Sequence, residues 1–431
     1  MTDDQTEYVL VTEYFHPDTA STGQLMTDLA VGLKDRGLDM TVYTGQPNYR
    51  GGPNERQPRK STHQGVSVNR IRAPQLRQSS LPRRLFNWGV FTIWMFLVLL
   101  VSRSDGDREV LFVSNPPMLP IAMWIVCRIR GWDYTYIVYD LYPDQPVELG
   151  YLSEDGLIHR SWAALNGRAL LAATNVVALG PRMEARIAAQ AGPMFDKDTV
   201  TIIHNWADAD FIEPKEKSEN TFSEEHDLVD SFTVLYSGNI GEFHDLETVV
   251  DGAARFNDDD VTVLIIGEGD NKASIVDRAE ANGTRGETVE FLPYQPRDVL
   301  PESLTSGDVS VVTVREGFEG ICVSSKLYTA MAAGMPVLGI VQPEDDEARI
   351  IDAFDAGIHV EQGDVDGFVE AIDTWRSNPE HRRQQGANAR AAFESYFTKT
   401  QSIDRYYRLL TDGAVAPDVT RTTAVTSTES A

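Results

Sequence analysis

Cysteine is nearly missing: Cys127 and Cys322 are the only two in 431 residues, and both sit among apolar neighbours. Count and setting together exclude a disulfide framework and fit a reducing compartment. Bases are also scarce, 38 against 65 acids, which leaves a net charge of −27. Such a surplus keeps a surface solvated and self-repelling, disfavours nucleic acid as a partner, and is the balance expected of a protein from a halophilic source. Met1 is followed by Thr2, Asp3, Asp4 and Gln5, without the basic start and apolar core of a secretory signal, so a cytoplasmic location is expected. Apolar residues are not lacking: at 42% they support a folded chain, and 431 residues are more than one core usually serves, so two domains are expected.

Those two domains are visible as two rounds of the same alternation. Val9–Thr12 is an apolar run, a loop with His16, Pro17 and Gly23 follows, Leu25, Leu29 and Leu33 keep a helical period, and Met40–Thr44 reads as the next strand. A strand, helix, strand succession is the signature of a parallel sheet. It continues through Val110–Val113, Tyr134–Tyr139, Val176–Ala178 and Val200–Ile203. The stretch 213–230 turns polar, with Lys215, Glu216, Lys217 and Ser218 in succession, and reads as a linker. The pattern then restarts with Thr233–Tyr236, Val261–Ile266, Val289–Phe291, Val309–Thr313 and Pro336–Ile340. The expected organisation is α/β: doubly wound domains over 1–212 and 231–394, a C-terminal helix over 395–413, and a disordered Thr- and Ser-rich tail over 414–431.

One segment has membrane character. Leu85–Val101 carries no charge, yet is a little short of the ~20 residues that span a bilayer, so burial or shallow insertion is expected. Before it come Arg50, Arg56, Arg59, Lys60, Arg70, Arg72, Arg77, Arg83 and Arg84, with Glu55 the only acid in the interval. That local reversal of sign beside Trp88 and Trp94 suits an anionic membrane surface, and segment 50–101 is read as membrane-associating.

In open parallel sheets ligands bind beyond the carboxyl ends of the strands, so the loops leaving the second sheet are the first place to search. Gly238, Asn239 and Gly241 follow the restart strand, where glycines let backbone N–H groups approach a diphosphate. Gly267-Glu268-Gly269 follows the next strand but lacks the third glycine of a dinucleotide fingerprint. In the third loop Ser325 and Lys326 precede a helical run ending at Gly334, and the lysine is placed to neutralise a departing diphosphate.

These runs, with Leu264–Gly269, Phe291–Tyr294 and Ser325–Val337, resemble the retaining glycosyltransferases of family 4, and within them the amino-sugar and deoxy-sugar transferases of surface polysaccharides and lipid-linked glycans. Ser114-Asn115-Pro116-Pro117, Tyr139 to Asp144 and Ile203 to Asp208 are similar to that subgroup's motifs in order and spacing. The resemblance implies the GT-B architecture, two Rossmann-like domains facing a cleft with the C-terminal helix returning to the first. It also implies a nucleotide-sugar donor, UDP favoured, and a lipid-linked or glycan acceptor. The chain departs from the family where Asn239 and His244 stand in place of an Arg and a Lys, and where Ile321 and Thr329 occupy the positions of the paired glutamates.

Within this reading Lys326, Ser325 and the Gly238–Gly241 backbone would stabilise the leaving diphosphate, and Gly267 and Tyr294 would wall the nucleotide pocket. Glu319 would hold donor-sugar hydroxyls, Asp140 would orient or deprotonate the acceptor, and His16 and Gly23 would border the acceptor side. The acidic pairs Asp208/Asp210 and Asp364/Asp366 arise readily in so acidic a chain, so no metal and no cofactor is expected. Two alternatives share the donor pocket: a nucleotide-sugar epimerase of similar fold, and an inactive membrane-associated partner of another transferase.

Overall fold

The structure is a computed structural model that describes residues 6–47, 56–71, 76, 81–103, 106–256, 260–413 and 415–421. It divides into two compact units, Met1–His204 with Thr400–Pro417, and Asn205–Lys399 with Asp418–Ala431.

The first unit is built on eight strands: β1 (Glu7–Thr12), β2 (Asp39–Thr44), β3 (Lys60–His63), β4 (Val66–Arg70), β5 (Arg108–Val113), β6 (Asp133–Ile137), β7 (Asn175–Ala178) and β8 (Val200–Ile202). They lie in the order β3-β4-β2-β1-β5-β6-β7-β8, parallel except for the antiparallel β3–β4 pair. β1 is central, with Val9 in register with Thr41 on one side and Val110 on the other, and Val9, Leu10 and Val11 are fully buried. A strand covered on both faces needs such an unbroken apolar run. The β3–β4 hairpin was not foreseen: the tight turn at Gln64 and Gly65, both at positive φ, lies in a stretch whose charge hides its strand alternation.

Within that unit the apolar segment is a 21-residue helix, Leu81–Val101, with an 18-residue window of mean hydropathy 1.8, and it is the one described helix long and apolar enough to cross a membrane. It starts four residues before the apolar run does, with Arg83 and Arg84 in its first turn, so the uncharged stretch itself remains Leu85–Val101. Phe91, Met95 and Leu99, four apart on one face, are buried, while Leu85, Ile93 and Leu97 on the other are more than half exposed. Asn87 fastens its start, accepting from Leu76 N–H at 2.9 Å and donating to Leu76 O at 2.8 Å. The Lys399–Thr411 helix closes the unit: Ile403 fills the space that a Cβ at Gly32 would need, and Asp404 Oδ1 pairs with Arg36 Nε at 2.7 Å.

The second unit has six parallel strands, β9 (Phe232–Ser237), β10 (Val261–Ile266), β11 (Val289–Leu292), β12 (Val309–Thr313), β13 (Val337–Ile340) and β14 (Gly357–Val360), in the order β11-β10-β9-β12-β13-β14. The order reverses between β9 and β12, which opens a crevice beyond their carboxyl ends. The core beneath is continuous, from Val234, Val263, Ile265 and Val311 on the strands to Phe368 and Trp375 on a covering helix.

Three expected boundaries are corrected. The stretch 213–230 is folded into the second unit: a short helix, Thr221–Glu225, is capped by Asn220, which is buried and donates to Glu302 O at 2.8 Å. Polar composition there reflects satisfied caps, whose buried side-chain partners composition cannot reveal. The expected C-terminal helix over 395–413 begins instead at Lys399 and ends at Thr411, because the widened turn Phe393–Phe397, with both phenyl rings buried, continues the preceding helix and Thr398 is extended. Of the expected disordered tail, 415–421 is described and buries Asp418 and Thr420, while 414 and 422–431 lie outside the described residues.

Candidate functional site

At the reversal point of the second sheet, two loops lie backbone on backbone. Gly267, at φ +150°, packs so tightly that a Cβ there would meet Gly238 O at 1.8 Å, and a Cβ at Gly269 would meet Ile240 O at 2.0 Å. Gly238, at φ +144°, leaves the space into which Lys326 runs: a Cβ would meet Lys326 Cε at 2.5 Å. Only glycine meets both demands, the left-handed backbone and the missing side chain.

The glycines were expected to offer their N–H groups to a diphosphate. The structure employs three of the loop's N–H groups internally: Gly238 donates to Ile266 O at 2.9 Å, Ile240 to Glu268 O at 2.9 Å, and Gly241 to His244 Nδ1 at 3.2 Å. The loop's glycines therefore serve close packing, and a cation stands beside them. Asn239 accepts the Tyr236 hydroxyl on its backbone O at 2.6 Å, and Tyr294 Oη donates to Glu268 O at 3.3 Å.

That cation is Lys326, first residue of the short helix Lys326–Ala332, which ends at Gly334 with φ +70°. Its Nζ lies 2.9 Å from His244 Nε2 and 5.3 Å from the Tyr236 ring centre. Burial pulls the Lys326 ammonium down to about 8, against the upward pull of Cys322 and Glu347. His244 is driven well below the usual imidazole range by burial, then by Lys326 and Arg315. The residue that replaces the family's usual cation thus becomes Lys326's neighbour, a pairing across 82 positions that no spacing rule would find.

Arg315 was not singled out from sequence. It follows β12, its N–H binds Phe243 O at 3.0 Å, and its guanidinium pairs with Glu247 at 3.0 Å. Ser325 immediately precedes the helix, and the adjoining Ser324 N–H donates at 2.5 Å to Glu347, a fully buried carboxyl held well above the usual range by burial and by Asp345. Glu319 Oε1 accepts from Gly317 N–H at 2.7 Å, so its carboxylate braces its own loop. Ile321 is fully buried, and Thr329 Oγ1 binds Lys326 O at 2.9 Å, so neither glutamate position presents an acid.

In the first unit, Asp140 lies just past β6. Its N–H donates to Ser114 Oγ at 2.9 Å, and Oδ1 accepts from Gln145 at 3.3 Å. Burial pushes its carboxyl up to about 6, with the Gln145 hydrogen bond opposing. Past β1, Glu13 is buried and pushed up to about 8 by burial and by Asp18, an acid that sequence reading passed over because it looks like any turn residue. His16 stacks on His63 with centroids 3.9 Å apart, its O accepting from Arg70 at 2.6 Å. Gly23 lets its helix approach Tyr14, whose Cβ stands 2.9 Å from where a glycine Cβ would be.

Not all of the basic run is surface. Arg70 is buried by those bonds, whereas Arg56, Arg59, Lys60 and Arg83 are exposed, and Arg50, Arg72 and Arg77 lie outside the described residues. Among the described residues no three His, Cys, Asp or Glu side chains gather as a metal site would require. Asp208 instead pairs with Lys399 and accepts from Asp210 N–H at 3.1 Å.

Residues 22–206 match the family described as glycosyl transferase 4-like domain, and residues 218–392 match glycosyl transferases group 1. The chain is a GT-B glycosyltransferase of the family 4 type. It is similar to the probable glycosyltransferase WbjE of Pseudomonas aeruginosa, 25% identical over 66% of this chain and 70% of that one. It also resembles the putative colanic acid biosynthesis glycosyl transferase WcaI of Escherichia coli strain K12, 24% identical over 85% and 91%. In fold it is similar to the Anabaena protein Alr3699/HepE, solved in complex with UDP-glucose, with a TM-score of 0.68 at 15% identity over 95% and 100% of the two chains. Both sheets of this transferase are thus assigned, one to each matched domain.

Proposed function

We propose that this transferase moves a hexosyl or N-acetylhexosaminyl group from a nucleotide-diphosphate sugar, UDP favoured, to a lipid-linked or polysaccharide-precursor acceptor at the cytoplasmic membrane face, with retention at the anomeric carbon. The observation that carries the reading is Lys326, aimed at the Gly238 backbone where the strand order reverses. The UDP-glucose bound by HepE and the colanic acid biosynthesis in WcaI's name agree with it. In the reaction the bond from the anomeric carbon to the diphosphate oxygen breaks and one to the acceptor oxygen forms. Lys326 meets the charge growing on the leaving diphosphate, an electrostatic role worth most where water is excluded. Asp140, ionised above about pH 6, is suited to orient the acceptor hydroxyl or take its proton.

The exposed face of the Leu81–Val101 helix supports the membrane part of the reading. Ile93 is 63% exposed and Leu97 51%, and the neighbouring helices add Ile129, Leu157 and Ile158 with Arg128 and Arg168 among them. Apolar side chains interspersed with arginine suit the headgroup boundary of an anionic bilayer.

The test is release of nucleoside diphosphate from a panel of nucleotide sugars, with and without membranes of the source organism, in wild type and Lys326→Ala. Membrane-dependent release that falls by about 10²- to 10³-fold in the variant is expected. Donor conversion without membranes would favour the epimerase, and tight binding with no turnover the inactive partner.

A further inference from the structure

Lys326 and His244 meet with one proton too many. Gly241 donates its N–H to His244 Nδ1 at 3.2 Å, so in the neutral imidazole the ring proton sits on Nε2. Nε2 in turn lies 2.9 Å from Lys326 Nζ, and two N–H donors cannot share so short a contact. An ammonium at Lys326 could donate to Nε2 only if the ring proton moved to Nδ1, where it would oppose the Gly241 N–H. An imidazolium would set donors against donors on both sides. The three groups are satisfied together when Lys326 is a neutral amine that accepts the Nε2–H.

We propose that His244 is a positioning residue that favours the neutral amine of Lys326 in the empty site by donating its Nε2–H to it, and that a diphosphate which displaces this contact draws Lys326 to the ammonium, taking up a proton wherever the amine was neutral. Donor binding and proton uptake become a single event. This rests on the donor-site reading of the same loops.

The groups around the pair support it. From β9 the Tyr236 ring faces Nζ, its phenol raised by burial and committed to Asn239 O. From the loop before the helix comes Cys322, and from the Asp346–Phe354 helix Glu347, whose carboxyl is raised well above the usual range by burial and by Asp345 and is engaged by the Ser324 N–H. After β12 stands Arg315, whose charge acts on His244 and is engaged by Glu247, beside Asp245. Nothing here is a firm counter-ion for an ammonium, and burial leaves Lys326 at about 8. A bound diphosphate supplies the missing negative charge and raises that value. The sign follows. Below about pH 8 the ammonium forms readily and binding is strong, whereas above it each diphosphate must bring in a proton and binding weakens, by up to about tenfold per pH unit.

Titration calorimetry of the full chain with UDP counts that proton, at about pH 7 and about pH 8.5 in buffers of different ionisation enthalpy. Uptake rising toward one proton per UDP at the higher pH is expected. Lys326→Arg, whose guanidinium stays charged at both pH values, should bind UDP without uptake. His244→Ala should shift the onset of uptake to higher pH by removing the Nε2–H partner. A binding enthalpy independent of buffer at about pH 8.5, with UDP still bound, would overturn the coupling and leave the donor site standing. Undiminished uptake in Lys326→Arg would overturn its assignment to Lys326. Failure of the wild type to bind UDP, GDP or dTDP at either pH would overturn the donor-site reading and this inference with it.

Discussion

Gly267→Ala is the sharpest single perturbation of the donor loops. The glycine sits at φ +150°, a region essentially closed to side chains, and its Cβ would stand 1.8 Å from Gly238 O. The backbone conformation alone costs about 1–3 kcal/mol. Overpacking adds about 1–3 kcal/mol more, since the atom in the way is a main-chain carbonyl that no rotamer change can move. A total of about 3 kcal/mol is expected, near 150-fold in the equilibrium between the closed and opened loop pair. Gly283→Ala is the matched control. It too has positive φ, +72°, but nothing lies within 4 Å of its Cβ, so about 1–2 kcal/mol of backbone strain is its whole cost. Urea denaturation of the full chain gives the stability of each variant, and calorimetry with UDP gives the site. Gly267→Ala should lower stability more than the control and weaken UDP binding by at least tenfold, while the control binds normally. Equal destabilisation by the two substitutions, with UDP affinity intact in both, would refute the argument that the glycines exist to press one loop onto the other.

Asp140→Asn should remove the acid limb of the rate: in wild type kcat/KM is expected to fall as pH drops through about 6 and the buried carboxylate takes a proton, and a limb unchanged in the variant would assign it elsewhere. Arg83→Gln with Arg84→Gln should weaken partition into anionic vesicles by about 30-fold, at about 1 kcal/mol per cation, and a cosedimentation assay showing no change would separate the basic run from membrane binding. With a net charge of −27, the thermal midpoint should rise as KCl increases from about 0.2 M to about 2 M, and a flat midpoint would count against adaptation to concentrated salt.

The central parallel strands were legible because each is a short unbroken apolar run between helical periods, and burial on both faces demands that composition: β1, β5, β10 and β12 were placed this way, whereas β4 and the edge strand β14 were not. Glycines after β9 and β10 were legible as special backbone, and Lys326 as a cation ahead of a helix. The reason for those glycines was not legible. Their crowding comes from a neighbouring loop some thirty residues away, and only the folded chain shows that their N–H groups are already employed. His244 looked like the loss of a phosphate ligand until the structure set it 2.9 Å from Lys326. A segment whose character is set by partners rather than composition was misread: 213–230 is polar because it is capped and packed through side chains such as Asn220. Local sequence determined the alternation of elements, since hydrophobic period and turn residues act over a few positions. Which loops meet, which donors are spent and which titratable groups share a proton depend on contacts between distant positions, and those only the tertiary structure decided.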